Sequence, residues 1–194
     1  MSLASLTTVF RKTGAYIFNM GAVNFFEYLI INLLLVVHVS RHQYSLTLEY
    51  QELSFFQANE YSFLMLAYYA GSFVSRSTLQ SKVLSWAFTP TIFQMVNMVL
   101  WFYNLRYEFA TSFYPVFFFM VWVGMQGGTA YTNFFYLANT KTTLECDFNL
   151  HYTERELTVN LLLFSNDIGI FFASIIGFLV QAYYFPNTLT NPPN

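Results

Sequence analysis

Apolar residues in this chain gather in long runs separated by short polar stretches. A hydrocarbon layer about 30 Å thick takes roughly 20 residues of helix to cross. Five runs meet or approach that length: Gly14 to Val37, Tyr61 to Ser77, Leu84 to Leu105, Ser112 to Ala138 and Leu157 to Tyr184. The second is the weakest, because Gln57 to Glu60 keep its start polar and Arg76 closes its end. The first follows Arg11 and Lys12, yet its apolar part is too long for a signal peptide and no small-residue cleavage site follows, so it is read as a stable span. The pattern predicts an all-α, polytopic helical membrane protein of about five to six transmembrane helices. Residues 1–13 are expected as an interfacial segment, with Leu3 to Lys12 an amphipathic helix on the membrane surface. Residues 14–184 form the helical bundle, and the Pro-rich stretch 185–194 is an unstructured tail.

Composition agrees with a lipid environment. Of 194 residues, 56% are hydrophobic and only 9% charged, against about a quarter charged in a soluble domain. Aromatic residues reach 22%, and large rings suit the membrane and its interface. The net charge of -2 comes without any basic stripe or arm, which removes nucleic acid as a partner. Cys146 is the single cysteine, so neither an intrachain disulfide nor a cysteine-based metal site can form.

Lys and Arg in the connections set the expected orientation. Arg11, Lys12, Arg76, Lys82, Lys141 and Arg155 fall on one side, and only Arg41 and Arg106 on the other, together with Glu49, Glu52 and Glu60. The richer side, which includes the N-terminus, is expected in the cytosol. Arg76 is then an interface anchor at the end of the second span, within reach of Glu154 or Glu156.

Two acidic residues interrupt the spans. Glu27 lies near the middle of the first, with Asn24 one turn before it on the same helix face. Asp167 sits beside Ser165 and Asn166 in the last. An ionisable group in hydrocarbon is costly and usually faces a cavity or a partner, and carboxyls removed from water can exchange protons near neutral pH. Glu27, Asn24 and Asp167 are therefore candidates for a proton or substrate site, with Asp167 the second acid across a cavity from Glu27. The bland reading is a pair of structural carboxyls capped by neighbouring helices.

Small residues recur at a spacing of four: Gly124, Gly128 and Thr132; Ala67, Gly71 and Ser75; Ala173 and Gly177. Such strips let helix backbones approach closely, and the first two are expected to be free for a second bundle. Gln126, Thr129 and Asn133 fall roughly opposite the Gly124 strip, where they could line a cavity. The glycines do not form a phosphate loop, since no GxxxxGK[ST] occurs. His38, His42 and His151 fall in or near predicted connections, and no GxSxG or HExxH is present. The chain offers no catalytic set, no metal site and no cofactor motif.

At these same segments the sequence resembles the battenin family of lysosomal and vacuolar membrane proteins, whose loss underlies juvenile Batten disease. The resemblance lies in NFFEYLIINLLL (24–35), YYAGSFVSRSTL (68–79), GMQGGTAYTNFF (124–135), ERE (154–156) and NDIGIFFASIIGFL (166–179), in the family's order and spacing. TTVFRKTGAYI (7–17) resembles the stretch that enters the second half of battenin. The resemblance spans nearly the whole chain and covers the C-terminal half of the family's architecture. It implies kinship with major facilitator transporters, in which two helical bundles rock around a central cavity, this chain being the second bundle. Two positions depart from the family. Val123 stands where an acidic residue commonly precedes the glycine of GxxGG, and the Ser-Asp-Thr order of the last span becomes Ser165, Asn166, Asp167.

By resemblance the chain is expected to be a transporter-type protein of the lysosomal or vacuolar membrane, concerned with lumenal pH and with small polar metabolites such as basic amino acids or phosphodiesters. Its expected partners are the lipid bilayer, an N-terminal transporter half, the metabolite and protons. A non-transporting scaffold that packs against a partner bundle is the alternative.

Overall fold

The computed structural model describes residues 3–50, 53–78, 88–110, 112–139 and 152–184, and every regular element among them is helical. Lys82, Lys141, Cys146, His151, the start of the third predicted span and the 185–194 tail lie outside the described residues. Helix α1 (Leu3–Leu29) passes through a π-helical stretch (Ile30–Leu35) directly into α2 (Val36–Tyr50). There is no break at Gly14, where the interfacial segment was expected to end. His38 and His42, predicted for a connection, lie on α2. Polarity alone marked them as loop residues, but the helix continues because its far end packs near the start of α4 and the last turn of α5.

A short helix α3 (Phe55–Ala58) follows, started by a capping box in which Ser54 and Gln57 satisfy each other's backbone N–H groups. Then come α4 (Glu60–Thr78), α5 (Thr89–Tyr107), α6 (Phe113–Asn139) and α7 (Tyr152–Tyr184). Helix α5 opens on Pro90, where a missing N–H costs nothing. It stops at Glu108, whose left-handed φ of 50° returns its N–H to the Asn104 carbonyl. Asn104 Oδ1 then accepts from the Ala110 N–H at 2.8 Å, fixing the turn into α6.

Two helix pairs dominate the packing, α4 with α6 and α1 with α7, and α5 leans on α1 and α6. Glycine sets both pairs. A Cβ on Gly71 would collide with the Val121 carbonyl, and one on Gly124 with the Tyr68 carbonyl. Gly128 lies against Ser72 and Ser75, and Ala67 is buried in the same seam. These strips thus close on each other inside the chain, which corrects the expectation that they stay free for a second bundle: both lie at the same depth on neighbouring helices. In the other pair, Gly169 meets the Gly21 backbone, Ser165 Oγ donates to the Ile17 carbonyl at 2.6 Å, and Ala173 is buried. Gly177 faces Asn32 of the π-helical stretch. Asn32 is held twice from α7: its side chain donates to Ser174 Oγ at 3.0 Å, and its carbonyl accepts from Gln181. A widened turn disturbs the regular backbone ladder, and Gln181 supplies a donor there.

Helix α5 is inverted relative to a helix on a soluble protein. Gln94, Asn97, Trp101 and Asn104 face inward, while Phe93, Val96, Val99, Leu100 and Tyr103 face outward. Gln94 donates to the Val123 carbonyl at 2.9 Å, Asn97 donates to Gln94, and Trp122 donates to Asn97.

Among the described residues, two helical stretches are long and apolar enough to cross a membrane, Leu6–Thr47 and Glu154–Tyr183. Five such runs were predicted. Helices α4, α5 and α6 have 19, 19 and 27 residues, but their Tyr, Ser, Asn and Gln side chains dilute their apolarity.

Candidate functional site

Three helices converge on Glu27. It stands near the end of α1 at 2% exposure, two residues before that helix gives way to its π-helical continuation. From α6, Gly127 lies directly against the carboxyl, so closely that a Cβ there would overlap it. From α4, the Tyr68 hydroxyl donates a hydrogen bond to it, and Tyr28 shares a hydrogen bond with Tyr68. A charged carboxyl without water needs such donors, since an unpaired one costs several kcal/mol.

Arg76, two turns beyond Tyr68 on α4, completes the electrostatics. It exerts an attraction on Glu27, Tyr28 and Tyr68, and its guanidinium carbon lies 4.6 Å from the centre of the Tyr131 ring on α6, within cation–π range. Beyond ending its span, Arg76 thus joins α4 to α6 and places a positive charge on the approach to Glu27. Tyr131 as its ring partner was not foreseen.

The other candidates divide. Asn24 is buried, but its amide donates to the Met20 carbonyl of its own helix at 2.8 Å. Asn133 is fully buried in α6, and neither polar atom of its side chain has a hydrogen-bond partner. Most buried amides are satisfied, so Asn133 is a polar group in search of a ligand or water. Gln126 and Thr129 are half-buried on the same helix. Asp167 does not meet Glu27. It is exposed on α7 and accepts only from its neighbour Asn166 at 3.1 Å among the hydrogen bonds described. The reason is helical phase: Gly169 faces α1, and two residues earlier the side chain points about 200° away. The expected pair of acids across one cavity is therefore corrected to one interior acid, Glu27, and one outward acid, Asp167.

Gly127 was missed as a site residue. The four-residue spacing selects Gly124 and Gly128 and passes over it, and nothing local to α6 says that a carboxyl from α1 will arrive. Among the described residues no group of three or more His, Cys, Asp or Glu is arranged to hold a metal ion. The arrangement can bind and release a proton at the Glu27 carboxyl, and it can offer hydroxyl donors and a nearby cation to a polar group.

Comparison with known proteins adds an independent finding. The family described as CLN3 protein matches residues 3–185. Battenin of Dictyostelium discoideum is 31% identical over 156 residues, which cover 80% of this chain and 34% of that protein. Battenin of Canis lupus familiaris is 26% identical over 177 residues, 91% of this chain and 36% of the relative. Protein BTN1 of Chaetomium globosum is 28% identical over 123 residues, 63% and 25% respectively. The chain thus spans about a third or less of the length of these relatives. No solved structure matches.

Proposed function

The chain belongs to the CLN3 protein family, and from that premise we propose that it is one helical bundle of a transporter-type protein that couples protons to the movement of a small polar metabolite. Family membership supports a membrane protein of the lysosome or vacuole. In this reading α4, α5 and α6 cross the bilayer along with the two most apolar stretches, giving a multi-pass bundle like the second half of a major facilitator. The inverted polarity of α5 supports that, because a helix that turns Phe, Val and Leu outward and Gln and Asn inward is suited to lipid as its solvent.

The observation that carries the coupling role is a buried carboxyl at a three-helix junction: Glu27 on α1, held by Tyr68 of α4 and by the missing side chain of Gly127 on α6. A carboxyl there can change its charge only together with its surroundings, which is what coupling requires. Arg76 would draw an anionic portion of the metabolite toward it. Basic amino acids or phosphodiesters are the classes the family resemblance implies, and lumenal pH would respond through the proton that travels with them. Alternating access needs two bundles around one site, so the test uses the full-length protein that contains this bundle. In reconstituted vesicles, Glu27→Gln is expected to insert normally and to flatten the dependence of flux on lumenal pH. Flux that keeps its pH profile in that variant would reduce Glu27 to a structural carboxyl.

The exposed Asp167 favours a second reading, a non-transporting scaffold whose outer face binds a partner bundle. Stable co-purification with such a partner, with no flux for any of the metabolite classes, would support it.

A further inference from the structure

A second polar cluster lies at the other end of the long N-terminal helix, past the π-helical stretch, and the Glu27 site makes no use of it. His42 Nδ1 is 2.7 Å from Glu60 Oε2, which ties α2 to the first residue of α4. Glu60 is 1% exposed, and its Oε1 has no partner. One turn before His42, the His38 ring stacks on it with centroids 6.2 Å apart and planes at 21°, and meets Trp101 of α5 edge-on at 5.8 Å. His38 is 8% exposed, and its Nε2 has no hydrogen-bond partner. Arg41 donates to the Leu105 carbonyl at 2.8 Å. Between α2 and the turn after α5 lies a cavity of about 120 Å³ lined by the two histidines, Arg41, Ser45, Asn104 and Glu108 among others.

We propose that the His42–Glu60 pair is a proton-operated latch, holding α2 to the start of α4 while His42 carries a proton and loosening when the proton leaves. Glu60 is the buried member of the pair and His42 is partly exposed; loss of the proton from His42 would leave the buried Glu60 carboxylate without its counter-charge, which is costly. An imidazolium gives the Glu60 carboxylate a charge-assisted hydrogen bond, roughly twice as strong as the one a neutral ring gives. The sign follows from the pair itself: the latch is tight while the ring is charged and weakens when rising pH removes the proton. The charged or titratable groups facing His42 are Glu60 from α4, His38 and Arg41 on α2, and Glu108 across the cavity. Glu60 alone makes an ion-pair contact with it among the described residues. The cavity has room for several waters, which gives protons a route to the stacked rings.

The latch acts at a mechanically useful place. Between it and Glu27 runs the π-helical stretch Ile30–Leu35, a type of turn that is frequent at functional sites and at which a helix can change register. Fixing or freeing α2 beyond that stretch would alter how the helix bears on the junction below. The proposal does not depend on what the protein carries.

Thermal unfolding of the full chain in a lipid nanodisc, at about pH 5.5 and about pH 7.5, tests it. His42→Gln should lower the midpoint relative to the unsubstituted protein by about 2–4 °C at the acid pH and by much less at the higher pH. Glu60→Gln should flatten the pH dependence in the same way. His42→Lys, which keeps a positive charge throughout, should hold its stability at both pH values. The latch is overturned if His42→Gln follows the same pH profile as the unsubstituted protein, or if His42→Lys gains stability in acid to the same extent.

Discussion

A missing side chain does as much at the junction as the carboxyl it accommodates. Gly127→Ala would drive a methyl group into the Glu27 carboxyl, and overpacking of this kind costs about 1–3 kcal/mol. The expected outcome is a lower unfolding midpoint together with a changed pH profile of transport, because the carboxyl itself must move. Gly128→Ala makes a useful comparison. Its Cβ would meet the Ser75 hydroxyl and would lie 2.7 Å from the Ser72 carbonyl, so stability should fall while the pH profile stays as it was. If both variants changed the profile equally, the effect would belong to the α4–α6 seam and not to Glu27. The contrast separates two adjacent glycines that look alike in the sequence.

At the level of the element, α5 offers the clearest test of what its interior polar row contributes. Gln94 both donates to the Val123 carbonyl and accepts from Asn97. Gln94→Leu would leave Asn97 and that carbonyl short of partners inside the bundle, at about 1–3 kcal/mol. Val96→Leu, on the exposed face of the same helix, should stay within about 0.5 kcal/mol. Comparing the two midpoints checks the inverted orientation, and equal effects would contradict it. Such elements were only partly legible in advance. The extents of α4 and α6 follow from apolar runs bounded by polar residues, and they come within a residue or two of the observed ends. Glu27 and the small-residue strips stood out because each breaks a local pattern. The polar row of α5 did not, since three polar side chains within an apolar helix do not say which way they point. The latch histidines were hidden for the opposite reason: a polar stretch reads as a connection until its long-range partners, Glu60 and Leu105, are known. Phase between helices was equally out of reach, which is why Asp167 was assigned to the wrong side of α7.

For the molecule as a whole, the outward acid becomes the informative one. Leu162, Gly169, Ala173 and Gly177 form the buried face of α7, and Asp167 lies on the other side with Asn160, seven residues before it and also exposed. Positions seven apart share one stripe of a helix. Left against hydrocarbon, an aspartate costs about 2.5–3.5 kcal/mol at mid-depth, so a stripe of this kind belongs against protein or a water-filled passage. In the proposed two-bundle protein it faces the other bundle, on the side of α7 away from α1. Asp167→Leu removes the cost of exposing the acid and should leave the isolated chain as stable in lipid as before, or slightly more so. The same substitution in the full-length protein should weaken the association of the two halves, or abolish flux while Glu27 and its partners stay intact. Expressing the halves as separate chains and measuring their co-purification, with and without Asp167→Leu, distinguishes these outcomes. Unchanged co-purification and unchanged flux would place the stripe at the lipid headgroups and remove Asp167 from the proposed contact between bundles.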